Sequence, residues 1–257
     1  HFYSDEQALS LVEDLVDLGP SAIEYIDKAT LDASKDNIEQ QGNRVWIDGD
    51  PESVLIIDFF SDTPKRLDFL IAECQAILQA NGSYSIKLID KSDRNKVWGV
   101  RKAGLGLLMG KVGPKKAIAV IEDAAVPVSR LYSYYQEIKS LMKSYSVDAV
   151  YYGHASVGLI HIRPILDLSK NKDQKIMHSI AKKVSKIVKK YHGSLSGEHG
   201  DGRVRAPFLE EQFGRVVYQY FVDLKYTFDP GNLFNPGVIL SDKSIVEDLR
   251  PVVSQQE

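Results

Sequence analysis

Cysteine is almost missing from this sequence: among 257 residues only Cys74 is present. A disulfide framework and a cysteine metal site are therefore excluded, and iron–sulfur chemistry has no ligands within this chain. Cys74 lies in LDFLIAECQAIL, where a small buried residue is expected. Long apolar runs are lacking too. None approaches the ~20 residues of a membrane-spanning helix, and the opening HFYSDEQ has neither the basic nor the apolar region of a signal peptide. A cytoplasmic location is expected, with peripheral membrane association left open for a longer protein. Charge of one sign is also scarce, with Lys plus Arg at 32 against Asp plus Glu at 35. The net charge of -3 exerts no global pull toward nucleic acid. Several signatures are incomplete. Gly200-Asp201-Gly202 lacks both a third glycine and a suitable preceding strand, GLGLLMG reads as a helix end, and no H-E-x-x-H is found.

What is present suits a folded domain with a substantial core, since 44% of the residues are apolar. Apolar spacing predicts helices over EQALSLVEDLVDLG, PKRLDFLIAECQAILQANG, DRNKVWGVRKAGLGLLMG and PVSRLYSYYQEIKSLMKSYS. Strands are expected at SAIEYID, SVLIIDFF, SYSIKLID and KAIAVIEDAAV, and a β-hairpin over DAVYYGHASVGLIHIRPILDL. A lysine-rich helix ending at Gly193 follows. Its apolar stripe, Ile176, Ile180, Val184 and Ile187, marks the lysines as a solvated face. After a glycine-rich loop come a helical stretch to about Phe228 and the punctuated DPGNLFNPGVIL. The fold class expected is α+β, helices on a mainly antiparallel sheet in two layers. One domain over 1–240 is expected, with 241–257 as a tail or the start of a linker.

The candidate chemistry lies in two places. A hairpin turn centred on Val157 and Gly158 predicts His154 and His161 opposite each other on one face, with Ile160 and Ile162 directed into a core. Two imidazoles and Glu198 would make a two-histidine, one-carboxylate metal set; the bland alternative is an ordinary solvent-facing histidine pair. In GSLSGEHGDGRVR, adjacent Glu198 and His199 are expected to point apart, so that one binds while the other transfers protons. A plain glycine-rich turn with Asp201 and Arg203 exposed is the alternative. Arg101 has the fork to clamp a carboxylate, and Glu122 and Asp123 either line the same cleft or face water.

Three ordered motifs, YYGHASVGLIHIRP, GSLSGEHGDGRVR and FDPGNLFNPGVIL, with VWGVRKAG and VIEDAAVP upstream, resemble the C-terminal domain of FAD-linked oxidases. These are 2-hydroxyacid dehydrogenases of the vanillyl-alcohol oxidase superfamily, among them glycolate oxidase and the D-lactate and D-2-hydroxyglutarate dehydrogenases. The resemblance implies a ferredoxin-like cap on the substrate side of FAD, with the flavin held mainly by a separate N-terminal domain. KAGLGLLMG and VIEDAAVP look like the subgroup fused to an iron–sulfur module. Carried over, His154, His161 and Glu198 match the ligands of a divalent metal, zinc or manganese. His199 matches the proton acceptor, Arg101 the group that grips the substrate carboxylate, and Asn235 a residue near the flavin, where Glu198 and His199 also belong. The implied reaction is proton abstraction from a 2-hydroxy acid with hydride transfer to flavin. The hairpin departs from the commoner G-H-x-G-D-G-N-L-H, because Ser156, Val157 and Leu159 replace Gly, Asp and Asn. A metal-dependent hydrolase and a non-catalytic scaffold domain are the other classes considered.

Overall fold

The structure, a computed structural model, describes residues 1–35, 37–110, 112–247 and 249. The chain runs through α1 (Asp5–Ser10), α2 (Val12–Val16), β1 (Ala22–Asp27), α3 (Lys28–Ala33), α4 (Ile38–Gln41), β2 (Ser53–Asp58), α5 (Pro64–Ala80) and α6 (Arg94–Met109). It continues with β3 (Lys116–Ala117), α7 (Val128–Ser144), β4 (Ala149–His154), β5 (Leu159–Leu166), α8 (Asn171–Lys190), α9 (Leu209–Phe213) and α10 (Arg215–Phe228). The five strands pair antiparallel throughout, in the order β2-β1-β4-β5-β3.

Side-chain alternation gives this sheet two unlike faces. Ile23, Tyr25, Tyr151, Ile160 and Ile162 enter the main core, where they meet Leu131, Tyr134, Tyr135 and Ile138 of α7 and Ile180, Val184 and Val188 of α8. Of the expected α8 stripe, Ile180 and Val184 are buried and Ile176 and Ile187 partly so, because the buried face is centred on Met177, Ile180, Ala181, Val184 and Val188; the helix's lysines lie outside the core. The opposite face is covered only in part. Ile26 packs with Leu31, Val97 and Val100, while Val150 and Tyr152 pack with Leu108, so α3 and α6 form a partial third layer. The two-layer expectation is exceeded for this reason: those strand positions are apolar and require cover. Beyond them on this face lie Glu24, His154, His161 and Arg163.

Several local expectations are corrected. The first helix breaks at Leu11 into α1 and α2. Residues 83–90 form no ladder among the described residues. Tyr84 N donates to His1 O at 3.1 Å and His1 N to Ser85 O at 2.9 Å, while Tyr84 Oη and Ser85 Oγ donate to Asp48. Side-chain bonds to the 44–50 loop take the place of strand pairing. KAIAVIEDAAV contributes only the two residues of β3, because the chain turns at 119–123 and carries Asp123 toward another loop. The lysine-rich helix ends at Lys190, and His192, not Gly193, takes the left-handed conformation with φ of 57°. Of the tail 241–257, Ile245 is buried in the main core, and residues 248 and 250–257 lie outside the described residues. No helix among the described residues is long and apolar enough to cross a membrane.

Candidate metal and proton-transfer site

Hairpin register differs from the expected one. A 3-10 turn at Ala155–Val157, closed by Gly158, places His154 opposite Leu159 and His161 opposite Tyr152. The two histidines are diagonal neighbours on one face rather than directly opposed, yet their ring centres are 5.4 Å apart. Diagonal pairs across a sheet remain within reach of large side chains. Ser156 accepts a bond from Ile23 N at 3.2 Å and so ties the turn to β1. Leu159, which stands where the commoner motif has asparagine, is buried beneath Gly197.

The glycine-rich loop approaches this face because Gly197 has no side chain: a Cβ there would stand 2.5 Å from Leu159 Cδ1. Gly200 follows with φ of +80°, a turn that other residues adopt only under strain. Asp123 holds the loop from behind. It is fully buried and accepts His199 N at 2.9 Å and Glu198 N at 3.2 Å, together with the Ser196 hydroxyl. Burial favours the protonated acid, but these bonds outweigh it and keep the Asp123 carboxyl below its ordinary value. Arg205 braces the same corner, donating to Gly200 O at 2.6 Å and reaching Glu122 Oε1 at 3.4 Å. Asp123 thus does more than line a cleft.

Glu198 is where the predicted residues meet. Its Oε1 lies 3.2 Å from His161 Nε2, 3.5 Å from His154 Nε2 and 3.3 Å from His199 Nε2. Adjacent Glu198 and His199 therefore converge and do not point apart, since Asp123 takes both their backbone N–H groups and Gly200 bends the chain. The His161 and His199 rings are parallel, with centres 5.4 Å apart. His161 Nδ1 donates to Glu122 O at 2.6 Å, which leaves Nε2 as the ring's acceptor. His154 Nδ1 meets Glu24 Oε1 at 2.6 Å, turning its Nε2 likewise toward Glu198. Burial lowers the His161 pKa; the bond to Glu24 raises that of His154 against the effect of burial.

These spacings fit a small divalent ion. Two bonds of about 2.1 Å at roughly tetrahedral or right angles hold their donor atoms about 3.0–3.4 Å apart, close to the separations found around Glu198. The second ring nitrogen of each histidine is already engaged, as in metal-ligating histidines generally. The group whose potential ligand atoms all lie within 4.8 Å of one another is Asp123, His161, Glu198 and His199; it shares His161 and Glu198 with the expected set and takes in His199 rather than His154. Asp123 is the weaker donor of these because its oxygens serve the loop. Exposure divides the cluster: His161 is 6% exposed at its side chain, His154 35%, Glu198 41% and His199 43%.

Arg101 joins from α6. Its Nε donates to Glu24 Oε2 at 2.8 Å and its guanidinium lies over the Tyr152 ring, 5.2 Å from the centre. Glu24, which no sequence motif singles out, is 7% exposed at its side chain. Burial raises its pKa, yet the bonds and charges of His154 and Arg101 prevail and hold it below the ordinary value. Its one sequence signal is that of an acid set between apolar residues, Ile23 and Tyr25, in the strand AIEYID. Asn235 stands apart from the cluster, in a loop with φ of 46°. That loop is drawn beside the glycine-rich one by the bond from Ile239 N to Gly202 O at 2.9 Å. Asp201 is half-buried and Arg203 exposed, so the plain-turn alternative holds only for the latter.

Known proteins resemble this chain in both sequence and fold. D-2-hydroxyglutarate dehydrogenase of Pantoea ananatis is 30% identical over 236 residues, covering 88% of this chain and 23% of that protein. D-lactate dehydrogenase of Archaeoglobus fulgidus is 26% identical, covering 86% of this chain and 46% of the relative. The chain thus spans from about a quarter to just under half the length of these relatives. In fold it is similar to 4-ethylphenol oxidase from Gulosibacter chungangensis, with a TM-score of 0.63 at 10% identity over 94% of this chain and 53% of that one. Residues 1–239 match the family model described as FAD linked oxidases, C-terminal domain, and the chain belongs to that family.

Proposed function

We propose that this chain is the substrate-side domain of an FAD-dependent dehydrogenase of 2-hydroxy acids, of the D-lactate, glycolate or D-2-hydroxyglutarate class. The observation that carries the reading is the convergence of His154 Nε2 and His161 Nε2 on Glu198 Oε1, with each outer ring nitrogen already engaged. His154, His161 and Glu198 would hold a divalent ion, zinc or manganese. Such an ion, when bound, lowers the pKa of a coordinated hydroxyl, and FAD, held mainly by a separate domain, takes up hydride.

The residues of this chain do the remaining work. His199, half-exposed and 3.3 Å from Glu198 Oε1, accepts the proton of the substrate hydroxyl at its imidazole. Arg101 orients the substrate through its carboxylate. Asp123 fixes the loop that carries both Glu198 and His199, so ligand and base keep a constant separation. Asn235, on a loop held beside residue 202, would approach the flavin when FAD is bound, an arrangement suited to a cofactor shared by the two loops. Electrons would leave through a further module, of iron–sulfur type in the subgroup this sequence resembles.

Elemental analysis of the purified chain, beside a His161→Ala variant prepared identically, tests the metal reading. Near-stoichiometric zinc or manganese is expected in the first and its loss in the second. Absence of metal from both after supplementation would sink it, and turnover of an ester or amide without flavin would favour a hydrolase.

A further inference from the structure

Glu24 has an environment that demands explanation. A carboxylate buried in an apolar strand costs several kcal/mol unless paired, and here both oxygens are engaged, by two residues to which the proposed function assigns different tasks. Oε1 receives His154 Nδ1 at 2.6 Å, directly across the β1–β4 pair. Oε2 receives Arg101 Nε at 2.8 Å from α6. Arg101 also covers the Tyr152 ring, whose centre is 5.0 Å from that of His161. An apolar residue at position 24 would leave both the imidazole and the guanidinium without this partner.

We infer that Glu24 is a positioning residue that couples the metal site to the substrate anchor: one carboxylate orients His154 as a ligand and Arg101 toward a carboxylate-bearing substrate. The inference rests on the reading of His154, His161 and Glu198 as a metal site. Coupling of this kind is reciprocal. Metal binding tightens the hold on a small 2-hydroxy acid, and the acid tightens the hold on metal, through the shared Glu24.

The test is calorimetric titration of the chain with Zn²⁺, together with absorption spectra of the Co²⁺-substituted protein, for wild type, Glu24→Gln and His161→Ala. Glu24→Gln keeps the shape and removes one acceptor and the charge. It is expected to weaken Zn²⁺ binding roughly 10–100-fold, the usual cost of losing a residue that orients a metal ligand, and to shift the Co²⁺ bands. His161→Ala is expected to abolish binding. Should Glu24→Gln fail to fold, Glu24→Asp, too short to reach both partners, is expected to give the same weakening. A merely structural ion pair would lower the Tm of Glu24→Gln while leaving Kd and Co²⁺ bands as in wild type. That outcome overturns the inference and leaves the metal site standing. Absence of Zn²⁺ binding by the wild-type chain overturns both.

Discussion

The two faces of the sheet are built from the same strands and serve opposite ends. In β5, Ile160 and Ile162 are fully buried against α7 and α8, whereas His161 and Arg163, the alternating residues, belong to a polar strip with Glu24 and His154. The apolar face is held mainly by buried area, with one bond from Tyr135 Oη to Asp5 at 2.8 Å beside it, so it tolerates apolar side chains that conserve the volume. The polar face is held by named pairs: Glu24 with His154 and Arg101, His161 with the Glu122 carbonyl, Asp123 with the Glu198 loop. Stability and chemistry should therefore be separable by choosing the face.

The largest expected effect lies on the polar side. In the complete flavoprotein, His199→Ala should lower the rate of flavin reduction by roughly 100-fold or more, with metal content and thermal unfolding near wild type. A nearly unchanged rate in stopped-flow reduction would remove His199 from the proton-accepting role. The reverse pattern is expected from Ile160→Ala, which leaves a cavity in the main core. It should cost about 2–5 kcal/mol, or about 2–4 °C in Tm for each kcal/mol in a chain of this size. Zn²⁺ stoichiometry per folded chain should not change; loss of the ion at a temperature where the variant is folded would show that the faces are not independent.

The smallest effect is a pH dependence. His154 has its pKa raised above 6.5, so its contribution to stability is fully present below 6.5 and is lost as pH rises through the raised value. Glu24 is held below 4.5, so its contribution is present above 4.5 and is lost as pH falls through the lowered value. In metal-free protein, the stability difference between wild type and His154→Gln should therefore be greatest between pH 4.5 and 6.5 and shrink toward pH 8. Denaturant unfolding at several pH values measures it. A difference that grows toward alkaline pH would mean that His154 is not paired with Glu24.

Much of this organisation was legible because it is periodic or local. Apolar spacing located α5 to α8, and Pro64 at the start of α5 and Pro127 ahead of α7 marked their beginnings. The hairpin was readable from its alternation, and so was the division between His161 and its two isoleucine neighbours. Its register was not, since the 3-10 turn moves the partner of His154 from residue 161 to residue 159, a two-residue shift that keeps the face and leaves composition unchanged. Residues 83–90 alternate as a strand does, yet pairing depends on what lies alongside, and the Asp48 loop holds them there. Glu24 and Asp123 escaped assignment for the same reason: a buried acid is recognisable only once its partners, 130 residues from the first and 76 from the second, are in place.

Taken alone, then, the sequence determined the residue types, the α+β class and the two segments that hold the imidazoles and the carboxylate, because periodicity and motif order are properties of the chain itself. The tertiary structure decided that Glu198 and His199 converge, that Asp123 organises their loop, and that Glu24 joins Arg101 to His154. Each of these is a contact between segments far apart in the chain, set by strand register and by the close approach that Gly197 permits, and neither quantity is encoded in local composition.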